Sequence, residues 1–166
     1  TLIALYQPAA TDLRFITTAM KVVTTLERIG DLAVNISHYA LDLIAACETP
    51  IDLSKQLRMA AKAQELLNNS LKALLNWDVE LALETARSDK AIDKIYRDNL
   101  WDTVQNLQGQ DLQTIHNLLR RFMISKFLER IGDHAVHICE MVVFMVKGRI
   151  IRHQKPTIDY LDEEFH

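Results

Sequence analysis

The chain reads ERIGDLAVNI at residues 27–36 and ERIGDHAVHI at residues 129–138. Eight of the ten positions are identical, and they include Glu, Arg, Gly and Asp in the same order, which a hydrophobic core alone does not demand. The two copies begin 102 residues apart. We interpret the pair as an internal duplication whose repeat is about three helices long.

Working outward from the two copies, apolar residues recur at steps of three and four along four stretches, which predicts four helices. Asp52 or Ser54, Asp78 and Asp111 are predicted N-caps because their side chains accept hydrogen bonds from the first free backbone amides. In the second helix the predicted apolar stripe includes Leu57 and Leu75. The predicted helices cover residues 12–47, 52–77, 78–107 and 111–148.

The composition favours an all-α protein. Four Gly and three Pro in 166 residues leave too few turn formers for a sandwich or barrel of short strands. A net charge of −3 gives no broad attraction to nucleic acid, and no run of 18 apolar residues predicts a membrane span. Cys47 and Cys139 are far apart in the sequence and form no C-x-x-C motif, so we expect both to be small packed side chains. This use of cysteine favours a reducing cytoplasm.

Short loops between long helices place sequence neighbours antiparallel, so the last three helices are expected to form one bundle. The predicted fold class is all-α, with three-helix-bundle repeats of which the second is complete and the first is represented by its last helix. Two helices of the first repeat are expected upstream of Thr1, and the unpartnered apolar flank of the first helix predicts a homodimer. The predicted units are residues 1–48 (last helix of the first repeat), 52–148 (complete second repeat) and 149–166 (polar C-terminal tail).

The duplicated segment carries acidic residues one helical turn apart. Glu27 and Asp31 share one polar stripe with Asn35, and the second copy repeats the spacing. We call these pairs the first and second acidic motifs, namely Glu27 with Asp31 and Glu129 with Asp133. A glycine inside each motif costs about 1 kcal/mol relative to alanine, which predicts that another group approaches the helix backbone there.

A third acidic pair, Asp89 and Asp93, is predicted to lie at a similar height on the facing third helix. Together with Glu129 and Asp133 it forms a candidate metal site, to which His137 adds a nitrogen donor. Such oxygen-rich donors favour Mn, Fe, Mg or Ca, and Zn if the imidazole joins. The competing interpretation is that each pair belongs to an ordinary solvated helix face.

At these residues the sequence resembles the PhoU family of phosphate-transport accessory proteins. The resemblance rests on the two E-R-I-G-D blocks, on Pro8 with Asp12-Leu13-Arg14, on Asp78-Val79-Glu80-Leu81-Ala82, and on Asp89-Lys90-Ala91-Ile92-Asp93 with Ile95-Tyr96-Arg97. It implies a cytoplasmic regulator rather than an enzyme.

The resemblance also implies partners and ligands. The partners are the ATP-binding subunit of the phosphate ABC transporter and the sensor histidine kinase of the phosphate regulon. The activity of both is reduced when phosphate is plentiful. Contact with the membrane is expected only through these partners. Some members bind iron or zinc at the acidic motifs. By that resemblance the metal ligands would be Asp89, Asp93, Glu129 and Asp133 in the complete repeat, and Glu27 and Asp31 in the other.

Two alternatives stay open. One is a metal-free helical adaptor. The other is a di-metal carboxylate enzyme, which needs Glu-x-x-His on two inward-facing helices. The only such spacing here joins Glu163 and His166, in the polar tail.

Overall fold

A computed structural model describes residues 10–46 and 51–148 of the chain. Every regular element within these ranges is an α-helix, which confirms the predicted all-α class. In the described part of the chain no helix is long and apolar enough to cross a membrane. The helices are α1 (Ala10–Ala46), α2 (Ser54–Asn76), α3 (Val79–Ser88), α4 (Lys90–Gln105) and α5 (Leu112–Lys147).

Two of the three predicted N-caps are confirmed. Asp78 Oδ1 accepts a hydrogen bond from the Leu81 amide at 2.9 Å, and Asp111 Oδ1 accepts one from the Thr114 amide at 2.9 Å. The prediction for α2 is wrong, because its N-cap is Leu53 without a side-chain cap hydrogen bond, although Asp52 Oδ1 accepts from the Ser54 amide at 2.9 Å. Gly148, at a φ of 68°, ends α5 in the left-handed conformation that glycine adopts without strain. At the start of the described chain α1 begins at Ala10, slightly before the predicted start.

The predicted third helix is wrong as one element, because it is divided into α3 and α4 at Asp89. The Ser88 hydroxyl donates to the Thr85 carbonyl at 2.8 Å and competes for an acceptor of the helical ladder. Asp89 nevertheless keeps helical angles, with φ of −57° and ψ of −32°. The interruption is therefore a single residue, and the backbone at Asp89 stays in the helical region.

Helix α5 is the centre of the molecule. It contacts all four other helices, with α2, α3 and α4 completing the predicted bundle and α1 packing along it most extensively. The buried apolar residues form two clusters that both include side chains of α5. The largest fully buried apolar side chains are Leu43, Met59, Ile92, Ile138, Met145, Val142 and Val143.

Two details of the predicted apolar stripe on α2 are wrong. Leu57 and Leu75 are exposed, whereas Gln56 and Ser70 are buried. The buried face of α2 therefore includes Gln56, whose side-chain amide donates to the Ser125 hydroxyl of α5 at 3.1 Å. This hydrogen bond offsets part of the cost of burying the amide, although Gln56 Oε1 has no hydrogen-bond partner among the described residues.

Helix α1 has two apolar faces, as the sequence predicts. One face packs on α5 through Val22, Ile29, Leu32 and Leu43. The other face is exposed in the described structure and consists of Met20, Val23, Leu26, Val34, Leu41 and Ile44. The division into units 1–48, 52–148 and 149–166 stays a prediction, since the tail and Cys47 lie outside the described residues.

Candidate functional site

Asp89, at the junction of α3 and α4, lies against the glycine of the second acidic motif. A Cβ on Gly132 would lie 2.9 Å from Asp89 Oδ1 and 3.2 Å from Ile92 Cδ1. The predicted close approach to the helix backbone is therefore confirmed at Gly132. At Gly30 it is wrong within the described structure, because a Cβ there would meet nothing within 4 Å. The two glycines differ because α3 and α4 pack on α5, which carries Gly132, and do not cover the face of α1 that carries Gly30.

Glu129 is engaged by a lysine that the sequence analysis did not single out. Lys126 Nζ lies 2.8 Å from Glu129 Oε2, three residues apart on α5. The same ammonium lies 5.0 Å from the ring centroid of Tyr96 on α4. Tyr96 in turn stacks on Phe122 of α5, with ring centroids 5.6 Å apart. The Lys-x-x-Glu spacing in the sequence could have identified this ion pair, because it places the two side chains on one helix face.

The pKa of Lys126 is raised from its ordinary value. Partial burial acts to lower this pKa, but the hydrogen bond to Glu129 and the charges of Glu129, Tyr96 and Asp133 outweigh it. Lys126 is therefore a fixed positive charge beside the second acidic motif. Asp133 is exposed, but it lies close enough for its charge to help raise the pKa of Lys126.

The remaining predicted ligands lie in different surroundings. His137 Nδ1 is 3.1 Å from Glu140 Oε2 on the same helix, so its ring has a carboxylate neighbour outside the predicted set. Asp93 is half-buried on α4. Glu27 and Asp31 of the first acidic motif are both exposed on α1.

The donors do not gather into one coordination sphere. Among residues 10–46 and 51–148, no group of three or more His, Cys, Asp or Glu side chains is placed to hold a metal ion. Asp89 packs on Gly132, whereas Glu129 turns to Lys126. The geometry therefore does not fit the predicted metal site, and metal binding stays a prediction.

The arginines of the two acidic motifs both influence one histidine of α5. Burial lowers the pKa of His134, and the positive charges of Arg130, Arg28 and His137 lower it further. Arg28 belongs to α1 and Arg130 to α5, so both copies of the duplicated segment contribute positive charge to the surroundings of His134. Both arginines are exposed and therefore accessible from solvent.

We expect replacement of His134 by leucine, the residue of the first copy at Leu32, to weaken the pH dependence of stability. As the pH falls below the ordinary histidine pKa of 6.5, the unfolded chain binds a proton that folded His134 resists. Folded wild-type protein therefore loses stability between about pH 7 and pH 5 through this residue. Urea unfolding at pH 7 and pH 5.5 should give a smaller difference for His134→Leu than for wild type. His38→Leu, at an exposed position of α1, is the control, and an unchanged difference in His134→Leu would contradict the prediction.

Cys139 is a structural residue rather than a reactive one. Its side chain is buried on α5, and burial raises the pKa of the thiol to about 12. The thiolate, which is the nucleophilic form, is therefore scarce near neutral pH. This confirms the predicted packing role for this cysteine.

Comparison with known proteins agrees with this architecture. The family model described as "PhoU domain" matches residues 1–40 and 57–142, which is more than half of the chain. A relative from Pseudomonas aeruginosa, named a phosphate-specific transport system accessory protein PhoU homolog, is 36% identical over 152 residues. That alignment covers 92% of this chain but 62% of the relative, so the chain spans less than two thirds of the relative's length.

Two solved structures are similar to the fold. The crystal structure of PhoU from Pseudomonas aeruginosa gives a TM-score of 0.83 at 35% identity, covering 89% of this chain and 70% of that one. The phosphate transport system regulatory protein PhoU from Streptococcus pneumoniae gives 0.80 at 28% identity, covering 90% and 69%. The match extends across the duplicated segment and the helices around it, and the chain belongs to the PhoU family.

Proposed function

We propose that the protein is a non-enzymatic regulator of phosphate uptake and phosphate signalling. In this proposal it acts in the cytoplasm by binding the ATP-binding subunit of a phosphate ABC transporter and a sensor histidine kinase, and it damps both when phosphate is plentiful. The observation that carries the proposal is family membership, since the relatives are named accessory proteins of a phosphate-specific transport system. Their function comes to this chain as an inference.

The fold supports a binding role because it is a rigid platform. Helices α1 and α5 have 37 and 36 residues, so each is about 55 Å long. Their shared interface is apolar and buried, which fixes the relative position of the side chains on their outer faces. A partner that binds across both helices meets a preformed surface and does not have to order it.

The charged residues of the two motifs form the surface that we propose for partner recognition. Glu27, Arg28 and Asp31 are exposed on α1, and Arg130 and Asp133 are exposed on α5. The core does not need these charges, yet the same residue types recur in both copies. Exposed charges contribute mainly to the specificity and rate of association.

We expect the immobilised protein to retain the transporter ATP-binding subunit and the sensor kinase from lysates of phosphate-replete cells. The double variant Arg28→Glu/Arg130→Glu should weaken binding of the purified ATP-binding subunit by about tenfold or more, because reversed charges repel a complementary surface. Lys72→Glu, at an exposed site on α2, is the matched control and should bind as wild type does. Failure to retain either partner would contradict the proposed function.

A metal-free adaptor is the second candidate, and one observation favours it. Lys126 Nζ already pairs with the Glu129 carboxylate, 2.8 Å from Oε2. Bound iron, zinc or manganese in purified protein, lost on Asp133→Ala and Glu129→Ala, would decide for a metal-dependent regulator.

We further propose a homodimer, on the basis of the exposed apolar face of α1.

A further inference from the structure

The two acidic motifs differ at the residue one turn before the glutamate. The second motif has Lys126, whereas the first copy has Thr24 at the matching position. The Thr24 hydroxyl donates to the Met20 carbonyl of its own helix at 3.3 Å. The two copies therefore share their carboxylates, but the second has a lysine beside them where the first has a threonine.

The Glu129 side chain is only 15% exposed, so its carboxylate needs a compensating positive charge. Lys126 Nζ provides that charge 2.8 Å from Oε2. A divalent ion bound to this carboxylate would stand about 2.0–2.6 Å from the same oxygen. Two cations at one carboxylate repel each other at such short range, so the ammonium and a divalent ion compete for Glu129.

The lysine is also held from the neighbouring helix. Its ammonium lies 5.0 Å from the Tyr96 ring centroid, and Tyr96 stacks on Phe122 of α5. The stem and the charge of Lys126 are thus placed by contacts with both α4 and α5. A side chain supported in this way loses less freedom on pairing than an isolated surface lysine does.

We propose that Lys126 is the resident cation of the second acidic motif, and that a divalent ion reaches Glu129 and Asp133 only when this lysine is removed or displaced. The lysine then determines whether the motif holds a metal. With Lys126 absent, two carboxylates one turn apart remain, and hard cations such as Mn²⁺ accept one or two carboxylates together with water.

The test measures Mn²⁺ binding directly, by counting bound and free ion with electron paramagnetic resonance. All variants carry Glu27→Gln and Asp31→Asn, so that the exposed first motif does not contribute. Lys126→Met removes the charge and keeps much of the apolar stem, while Lys126→Arg keeps a charge. Lys72→Met removes an exposed lysine elsewhere and controls for net charge.

We expect Lys126→Met to bind one Mn²⁺ at least about tenfold more tightly than the parent, which corresponds to a tenfold lower dissociation constant. Adding Glu129→Gln to that variant should abolish the gain. Lys126→Arg and Lys72→Met should stay within about twofold of the parent. The proposal is overturned if Lys126→Met binds no more tightly than the parent, or if Lys72→Met gains as much.

Thermal unfolding gives a second readout that does not depend on the spectroscopic signal. Because Mn²⁺ replaces the lost charge, it should raise the unfolding temperature of Lys126→Met by about 5 °C or more at 100-fold excess over the dissociation constant. At the same Mn²⁺ concentration the parent should show a clearly smaller rise, because it binds the ion at least about tenfold more weakly. Equal shifts in both proteins would overturn the proposal, even if Lys126→Met were less stable at the start.

Discussion

Replacing Gly132 with leucine should lower the free energy of unfolding by about 3 kcal/mol, even though leucine favours helices more than glycine does. The reason is the close approach of α3 and α4. A Cβ alone would lie 2.9 Å from Asp89 Oδ1 and 3.2 Å from Ile92 Cδ1, and leucine adds three more carbons beyond it. Ile92 is fully buried and has no solvent-facing space to move into. Urea or thermal unfolding measures the loss, which corresponds to about 6–12 °C.

The duplicated sequence supplies the control. Gly30 has the same neighbours, Ile29 and Asp31, as Gly132 has in its own copy, and a Cβ there meets nothing within 4 Å. Gly30→Leu should therefore leave stability unchanged or raise it by about 0.5–1 kcal/mol through helix propensity. Equal effects of the two substitutions would show that Asp89 and Ile92 do not restrict the space at Gly132.

The sequence was sufficient to predict the helical stretches but not the interruption at Asp89 that divides the predicted third helix. Periodic apolar residues and the caps Asp78 and Asp111 placed the helix boundaries, since both signals are local. The break at Asp89 was missed because the sequence does not show that the Ser88 hydroxyl turns back to the Thr85 carbonyl. Asp89 lies at that break.

The candidate site was predicted only in part, for a related reason. Spacing placed Glu129 and Asp133 on one face, and glycine correctly predicted the close contact at Gly132. Spacing did not show that Glu129 turns toward Lys126 while Asp89 packs on the glycine. Which of several nearby charges pair is decided by helix rotation and burial, and these are properties of the assembled bundle.

The buried polar side chains were missed because they interrupt apolar stripes. Gln56 occupies a buried position on α2 while its neighbour Leu57 is exposed. Ser125 is buried on α5, at the position that Val23 has in the first copy. Taken alone, each polar residue predicts an exposed position. Only the three-dimensional arrangement shows that these two residues hydrogen-bond to each other.

Ser125 lies where α2, α4 and α5 meet, and its hydroxyl uses its full hydrogen-bonding capacity. The oxygen donates to the Arg121 carbonyl at 3.3 Å and accepts from the Gln56 amide at 3.1 Å. It also accepts from the Asn99 side-chain amide. A hydroxyl has one donor and two acceptor positions, and all three are occupied here. The three helices are thereby held in one register.

Replacing Ser125 with alanine should therefore destabilise the protein by about 3 kcal/mol, because the amides of Gln56 and Asn99 both lose a buried acceptor. Gln56 keeps a longer contact to the Arg121 carbonyl, at 3.4 Å, so most of the loss is expected from Asn99. Ser37→Ala is the matched control. The Ser37 hydroxyl also bonds a carbonyl one turn earlier, that of Ala33 at 3.0 Å, but this serine is exposed. Its removal should change stability by about 0.5 kcal/mol or less.

A double-mutant cycle with Asn99→Ala separates this network from the loss of a small packed group. If the amide and the hydroxyl act together, the double variant should be more stable than the sum of the single losses predicts, by about 1 kcal/mol or more. Removing both partners leaves no orphaned donor on Asn99, whereas removing Ser125 alone does. Strict additivity in urea unfolding would mean that the contact between Asn99 and Ser125 contributes packing only, and that the register of α4 on α5 is set by the apolar residues around it.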